Sequence, residues 1–500
     1  MAELKKINLV FVHGYSVTNL NTYGELPLRL KTEGASKDFE VNVEEIFLGK
    51  YVSFKDEVKL NDISRAFNSA VKDQLSHIIN SNERFICITH STGGPVIRNW
   101  WSRYYYNKTE AICPMSHLIM LAPANFGSAL AQLGKGRISR IKSWMEDVEP
   151  GQGVLDWLEL GSSPSWKLNL EWIISGNDSV GPEKIFPFIL TGQSINRKLY
   201  DSLNSYTGEL GSDGVVRVAA ANLNAQYIKL IQGSTESDMD KLVVAEFKKS
   251  QDTAFRIITG KSHSGTEMGI MASVKKGISD KKSAETVKAI FDCIQVTTKA
   301  EYDALFKQFS DETTEVQKKE LKEIYQGALF RRTFIHNRFS QVIFKICDTE
   351  GIPLTDYDLL FTGPKDDPNH LPEGFLADRQ QNRVNRETVT YYFNYDNMLG
   401  QDIMGKPTQN GKERQKRLGL LIRPRPTDGF VRFVECKLEA TEDYLEKALQ
   451  PNTTTLLEIV LQRNVDKNIF RLEKLEKDTM PSKKDGDFKI YTKPGEELAD

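Results

Sequence analysis

The chain has 500 residues, 39% of them hydrophobic and 27% charged, with a formal net charge of −2 at pH 7. Such a length calls for two or three domains, and the apolar content excludes wholesale disorder. The near-neutral balance argues against nucleic acid as the main partner, because phosphate-backbone binding draws on a strong basic excess.

From the N-terminus, Ile7 to Val12 reads as a buried strand that runs straight into His13-Gly14-Tyr15. This apolar run is too short for a signal peptide core, and no stretch reaches the roughly 18 apolar residues of a membrane span. The expectation is a chain made in the cytoplasm without signal peptide or transmembrane helix, with export by a signal-independent secretion system left open. Asp62 to Ile79 has helical spacing, with Ile63, Phe67, Val71, Leu75 and Ile78 on one face. Arg84 to Thr89 is a second buried strand, followed by His90-Ser91-Thr92-Gly93-Gly94 and a helix over Val96 to Tyr106. Further strands are expected over His117–Ala122, Ile185–Thr191, Tyr227–Ile231 and Ala254–Thr259. The alternation of strands and helices predicts an α/β fold with a mainly parallel sheet covered by helices on both faces.

Four of the six tryptophans (Trp144, Trp157, Trp166, Trp172) fall between Gly134 and Asn177. They fit either a cap over a pocket or an excursion packed on the core. A charged helical stretch from Ala300 to Phe330 then leads into short β-type runs: Gln341–Cys347, Asp358–Phe361, Thr388–Asn394, Leu418–Arg423, Val431–Leu438, Thr455–Gln462 and Ile469–Leu472. Their turn-rich spacing predicts a sandwich-like module. The expected division is a catalytic domain over 1–298 with a cap near 134–177, a helical linker over 299–335, a β-rich domain over 336–475 and a charged tail over 476–500. The cysteines (Cys87, Cys113, Cys293, Cys347, Cys436) are scattered without a C-x-x-C pair, so buried free thiols are expected and no disulfide framework. No ligand cluster for a metal stands out, and no cofactor is expected.

The chemistry gathers at Thr89-His90-Ser91-Thr92-Gly93, a variant of the strand–turn–helix nucleophile elbow G-x-S-x-G. Small residues two before and two after the serine let the chain turn sharply. Gly93 meets that need, whereas Thr89 departs from it. The turn sets the Ser91 hydroxyl at a helix N-terminus, where backbone N–H groups gather. The oxyanion donors are then expected to be the N–H groups of Thr92 and, from the loop after the first strand, Tyr15. His13, Gly14, His90 and Gly93 are expected to shape the loop and elbow. Chain order in this fold runs Ser, acid, His. His263, on Gly260–Gly265 after a late strand, is therefore the expected base, and Asp213 in Gly211–Val216 the acid that orients it. Asp178 is the competitor, disfavoured because it precedes the strand that should carry the acid.

Four blocks in order resemble the α/β-hydrolase lipases, especially the phospholipase-like branch with GPI inositol-deacylase-like proteins and bacterial type VI secretion lipase effectors. They are Phe11–Gly14, His90–Gly94, Leu121–Ser128 and Ser212–Val216. The resemblance implies hydrolysis of a carboxylic ester, that of a phospholipid at a membrane surface foremost, through an acyl-enzyme. It also suggests a secreted antibacterial effector, whose C-terminal module would meet an immunity or secretion protein. Two rival readings stay open: an acyltransferase with the same triad, and a hydrolase-fold binding protein whose β-rich half carries the function.

Overall fold

The computed structural model describes residues 4–13, 22–53, 55–106, 112–133, 151–175, 179–197, 208–326, 331–408, 418–439, 445 and 448–466. The strands are numbered along the chain: β1 (Lys5–His13), β2 (Phe39–Phe47), β3 (Phe85–His90), β4 (Met115–Leu121), β5 (Phe186–Thr191), β6 (Gln226–Gln232), β7 (Leu242–Lys249) and β8 (Ala254–Ile257). Six of them form one sheet in the order β2-β1-β3-β4-β5-β8, with every neighbouring pair parallel. Its central strands β3, β4 and β5 are buried at all but two positions, His90 and Ser116, as apolar runs on a doubly covered sheet require.

The chain steps from β1 to β2 in one direction and from β2 over to β3 in the other. Right-handed crossovers therefore place the helix Leu26–Gly34 on one face and Leu60–Gln74 on the opposite face. Ile63, Phe67 and Val71 of the second helix are buried, as the spacing predicts; Leu75 is buried at the junction and Ile78 in a separate short helix, Ser76–Asn80. Phe67 meets the fully buried Trp100 of the helix Gly93–Tyr104 edge-on, ring centres 4.9 Å apart.

The strand expected at Tyr227–Ile231 exists as β6, but it does not join the parallel sheet. It forms a hairpin with β7, and this hairpin is part of a second sheet made largely by the C-terminal half. That half contributes β9 (Lys322–Gln326), β10 (Arg331–Ile335), β11 (Phe339–Asp348), β12 (Tyr357–Thr362), β13 (Leu376–Gln381), β14 (Thr388–Asn394), β15 (Gly419–Pro424), β16 (Val431–Arg432), β17 (Cys436–Leu438), β18 (Thr454–Leu461) and β19 (Asn464–Val465). The second sheet runs β13-β14-β11-β18-β6-β7, with β11, β18 and β6 parallel and the outer strands antiparallel. A three-stranded sheet, β12-β15-β17, packs on it around a separate core that includes Phe344, Phe361, Tyr391, Ile422 and Leu457. This is the sandwich-like module, with a hairpin from the N-terminal half built into its edge. The helical stretch expected to Phe330 stops at Lys319, and β9 and β10 form a hairpin beyond it. The expected strand at Ile469–Leu472 lies outside the described residues.

Of the tryptophan-rich segment, 151–175 is described, as two helices, Gln152–Leu158 and Ser163–Ile174. Trp157, Trp166 and Trp172 are buried in the main core. The same segment reaches the C-terminal half: Glu159 accepts from the Arg383 backbone at 2.8 Å and side chain at 3.0 Å, and the Thr388 hydroxyl donates to the Gly161 carbonyl at 2.8 Å. Trp144 and the rest of 134–150 lie outside the described residues. All five cysteines are buried free thiols.

Candidate active site

The site lies at the C-terminal ends of the parallel strands, where loops converge in open α/β sheets. Ser91 follows β3 directly and has φ of +52°, in the left-handed region. For a residue with a Cβ that conformation costs about 1–2 kcal/mol and must be held from outside. Three bonds hold it: Ser91 N–H donates to the Leu121 carbonyl at 3.0 Å, and the N–H groups of Gly94 and Ala124 both donate to the Ser91 carbonyl at 3.2 Å. Close packing explains the small residues. A Cβ on Gly94 would stand 2.8 Å from the Pro123 Cβ, and one on Gly93 would stand 3.1 Å from the Thr89 Cβ. Thr89 is thus tolerated under the turn because Gly93 leaves it room. Thr92 is the N-cap of the helix that starts at Gly93.

The fold brings the three expected residues together. Ser91 Oγ lies 3.1 Å from His263 Nε2, and His263 Nδ1 lies 2.9 Å from Asp213 Oδ2. The His263 and Asp213 side chains are fully buried. A carboxylate only accepts, so Nδ1 carries the proton and Nε2 is left to accept from the serine hydroxyl. The other oxygen of Asp213 accepts from the backbone of Val215 at 3.0 Å and Val216 at 2.8 Å. His263 N–H donates to the Asp213 carbonyl at 2.9 Å, which locks the two loops together.

The supporting histidines differ in setting. His90 Nε2 donates to the His263 carbonyl at 3.0 Å, with its ring 4.7 Å from that of His263. Burial, and then the proximity of His263, push its pKa well below the usual histidine range. His13 is buried at the end of β1, stacked on Phe47 at 4.1 Å, and neither ring nitrogen has a hydrogen-bond partner among the described residues. Burial lowers its pKa to about 4, so it is neutral near pH 7. Gly14, Tyr15 and the competing Asp178 lie outside the described residues. His77, His117, His336 and His370 stand elsewhere, hydrogen-bonded to Val296 and Glu323 in the case of His117 and His336. Among the described residues no group of three or more His, Cys, Asp or Glu side chains could hold a metal ion.

Several supports escaped sequence reasoning. The Ser128 hydroxyl donates to the Val215 carbonyl at 2.6 Å, tying the Leu121–Ser128 block to the acid loop. Glu320 accepts from the N–H of Gly260, the first residue of the histidine loop, and from the Gln193 side chain. Asp378, Tyr392, Gln341 and Thr454 meet the segment around Asp213. Ser128 had a local signal in its block, whereas the others are distant in sequence and carry none.

Solved structures match almost the whole chain. Phospholipase PlaB from Legionella pneumophila is 42% identical, with a TM-score of 0.84 over 96% of this chain and 97% of that one. The chain belongs to the α/β-hydrolase lipase and phospholipase family. The second match is the same Legionella protein in complex with thio-NAD, 41% identical, with a TM-score of 0.83 over 96% of this chain and 98% of that one. Membership in this family makes the chain a serine ester hydrolase, and its C-terminal β-rich region belongs to the shared architecture, since the match spans it. No protein-family model matches the chain, and no curated protein does.

Proposed function

We propose that this hydrolase cleaves the carboxylic esters of phospholipids through an acyl-enzyme on Ser91. The observation that carries the proposal is the unbroken Ser91–His263–Asp213 hydrogen-bond chain, in a protein that matches a phospholipase over nearly its full length. His263 Nε2 takes the Ser91 proton as Oγ attacks the acyl carbonyl, and Asp213 stabilises the imidazolium that forms. The oxyanion is received by Thr92 N–H, and the second donor expected from the sequence, Tyr15 N–H, lies outside the described residues; each such donor is worth about 10²–10³ in rate. His263 then protonates the departing lipid alcohol. Water, deprotonated by the same nitrogen, attacks the acyl-enzyme, releasing a fatty acid and restoring Ser91.

A complete hydrogen-bonded triad, with His263 and Asp213 buried and Ser91 partly exposed, weighs against a role in binding alone. Nothing in the geometry favours an acyltransferase, whose product analysis would show the acyl group on an alcohol other than water. The sequence-based expectations of a secreted antibacterial effector and of a protein partner for the C-terminal module find no support in the site, and the proposal stops at the phospholipid ester. The test is labelling by a fluorophosphonate probe together with acyl release from a phospholipid panel. Labelling that survives Ser91→Ala sinks the assignment of the nucleophile, and ester cleavage confined to water-soluble substrates sinks the phospholipid reading.

A further inference from the structure

The acid loop is not held by the hydrolase sheet alone. Asp378 of β13, Tyr392 of β14, Gln341 of β11 and Thr454 of β18 are successive cross-strand partners, so they form one row across four neighbouring strands of the second sheet. All four touch the segment that carries Asp213. The Tyr392 hydroxyl lies 3.0 Å from the carbonyls of both Leu210 and Gly211 and shares its proton between them. Asp378 accepts from Arg217 Nη2, Gln341 accepts from Arg217 Nη1 at 3.3 Å, and the Thr454 hydroxyl donates to the Ala219 carbonyl at 2.8 Å. Arg217 is almost fully buried, its guanidinium 4.1 Å from the centre of the Tyr392 ring. It closes the base of the loop through two 2.8 Å bonds to Glu209. Gly211, at φ of +73°, lets the loop come close: a Cβ there would stand 2.3 Å from the Tyr392 hydroxyl and 2.5 Å from Phe339.

We infer that the β-rich half is part of the catalytic apparatus, with the row Asp378–Tyr392–Gln341–Thr454 acting as positioning residues that hold Asp213 against His263. The inference rests on the triad reading given above. The physical reason is reach. Asp213 sits four residues from Arg217 and two from Gly211, so a loop released at both ends carries its carboxylate away from Nδ1, and misplacements of about 1 Å can cost on the order of 10² in rate. A row of side chains on a pleated sheet suits this role because paired strands fix the spacing of its members.

The test uses the full chain and a water-soluble ester, so that lipid binding does not enter. Tyr392→Phe removes the shared proton and keeps the ring, and Asp378→Asn removes one charge partner of Arg217 at constant size. Both are expected to lower kcat by about 10- to 100-fold with KM within about twofold. The number of Ser91 sites titrated by a fluorophosphonate at completion should stay the same, and the low-field proton resonance of His263 Nδ1 should broaden or vanish. Loss of folded protein alone would lower kcat and titratable sites in parallel, and that result overturns the inference. So does unchanged kcat in the folded variants, with Asp378→Asn deciding if Tyr392→Phe fails to fold. Asp213→Asn separates the two levels: if it keeps full activity the triad reading fails, whereas if it is inactive and both sheet variants are normal, only the positioning role fails.

Discussion

At the scale of single residues, the site is a short chain of hydrogen bonds whose members do different work. Replacing Asp213 with Asn preserves the shape of the loop but offers His263 an amide that can bind the wrong tautomer. The expected result is a fall of about 10⁴ in kcat with the fold intact, read from steady-state kinetics alongside circular dichroism. A loss of less than tenfold would mean that His263 is oriented by its backbone bonds and not by this carboxylate. His90 makes a milder prediction. Its ring donates to the His263 carbonyl, so His90→Phe should keep the packing and lose the tether, lowering kcat by several-fold while the probe still labels Ser91. Ser91, His263 and Asp213 were legible in the sequence because each sits in a local pattern that its chemistry demands: a strand–turn–helix, a loop after a late strand, a carboxylate among small residues. Tyr392 and Asp378 had no such pattern. Their relation to Asp213 exists only once strands more than a hundred residues away have paired.

At the scale of elements, the nucleophile elbow shows how an irregular motif is accommodated. Thr89 takes a position where a glycine is usual, and the space it needs is supplied by Gly93. The two sites should therefore be coupled. Gly93→Ala is expected to destabilise the protein by about 1–3 kcal/mol through overpacking against Thr89, and much less in a Thr89→Gly background. A double-mutant cycle of urea unfolding measures the coupling, and equal costs in the two backgrounds would show that the clash lies elsewhere. Strand identity was readable from continuous apolar runs, but strand partnership was not. The run at Tyr227–Ile231 reads like any buried parallel strand, and periodicity carries no information on which sheet will bury it. The helix expected to reach Phe330 ends at Lys319 for a related reason: charged residues suit an exposed helix and an exposed hairpin equally, so composition did not mark the boundary.

At the scale of the whole molecule, two halves that look separable in sequence are interlocked in structure. The β6–β7 hairpin of the N-terminal half is built into the second sheet, and four strands of that sheet reach back to the acid loop. The boundary near residue 298 thus marks a change in composition and not a plane along which contacts thin out. Three histidines, His13, His90 and His117, contribute to the acid response of this single unit. Burial lowers the pKa of His13 and of His117 to about 4 and that of His90 well below its ordinary value. These groups stay neutral in the folded chain while their unfolded counterparts take up protons below about pH 6.5. The stability they contribute is therefore fully present above that pH and is lost as pH falls toward 4, by about 1.4 kcal/mol per pH unit for each. Urea midpoints measured from pH 7 to pH 4 should fall steadily, and His117→Gln should flatten the curve. A midpoint that does not change across that range would contradict the burial of these rings.

The proposed attack of Ser91 on phospholipid esters joins these scales. Incubating the full chain with vesicles of defined glycerophospholipids and measuring free fatty acid and lysolipid tests it most directly. The native chain is expected to release both products steadily, and Ser91→Ala to lose at least ~10³-fold. Equal release by the two proteins, or no release by the native chain from any phospholipid while it still hydrolyses a soluble ester, would contradict it.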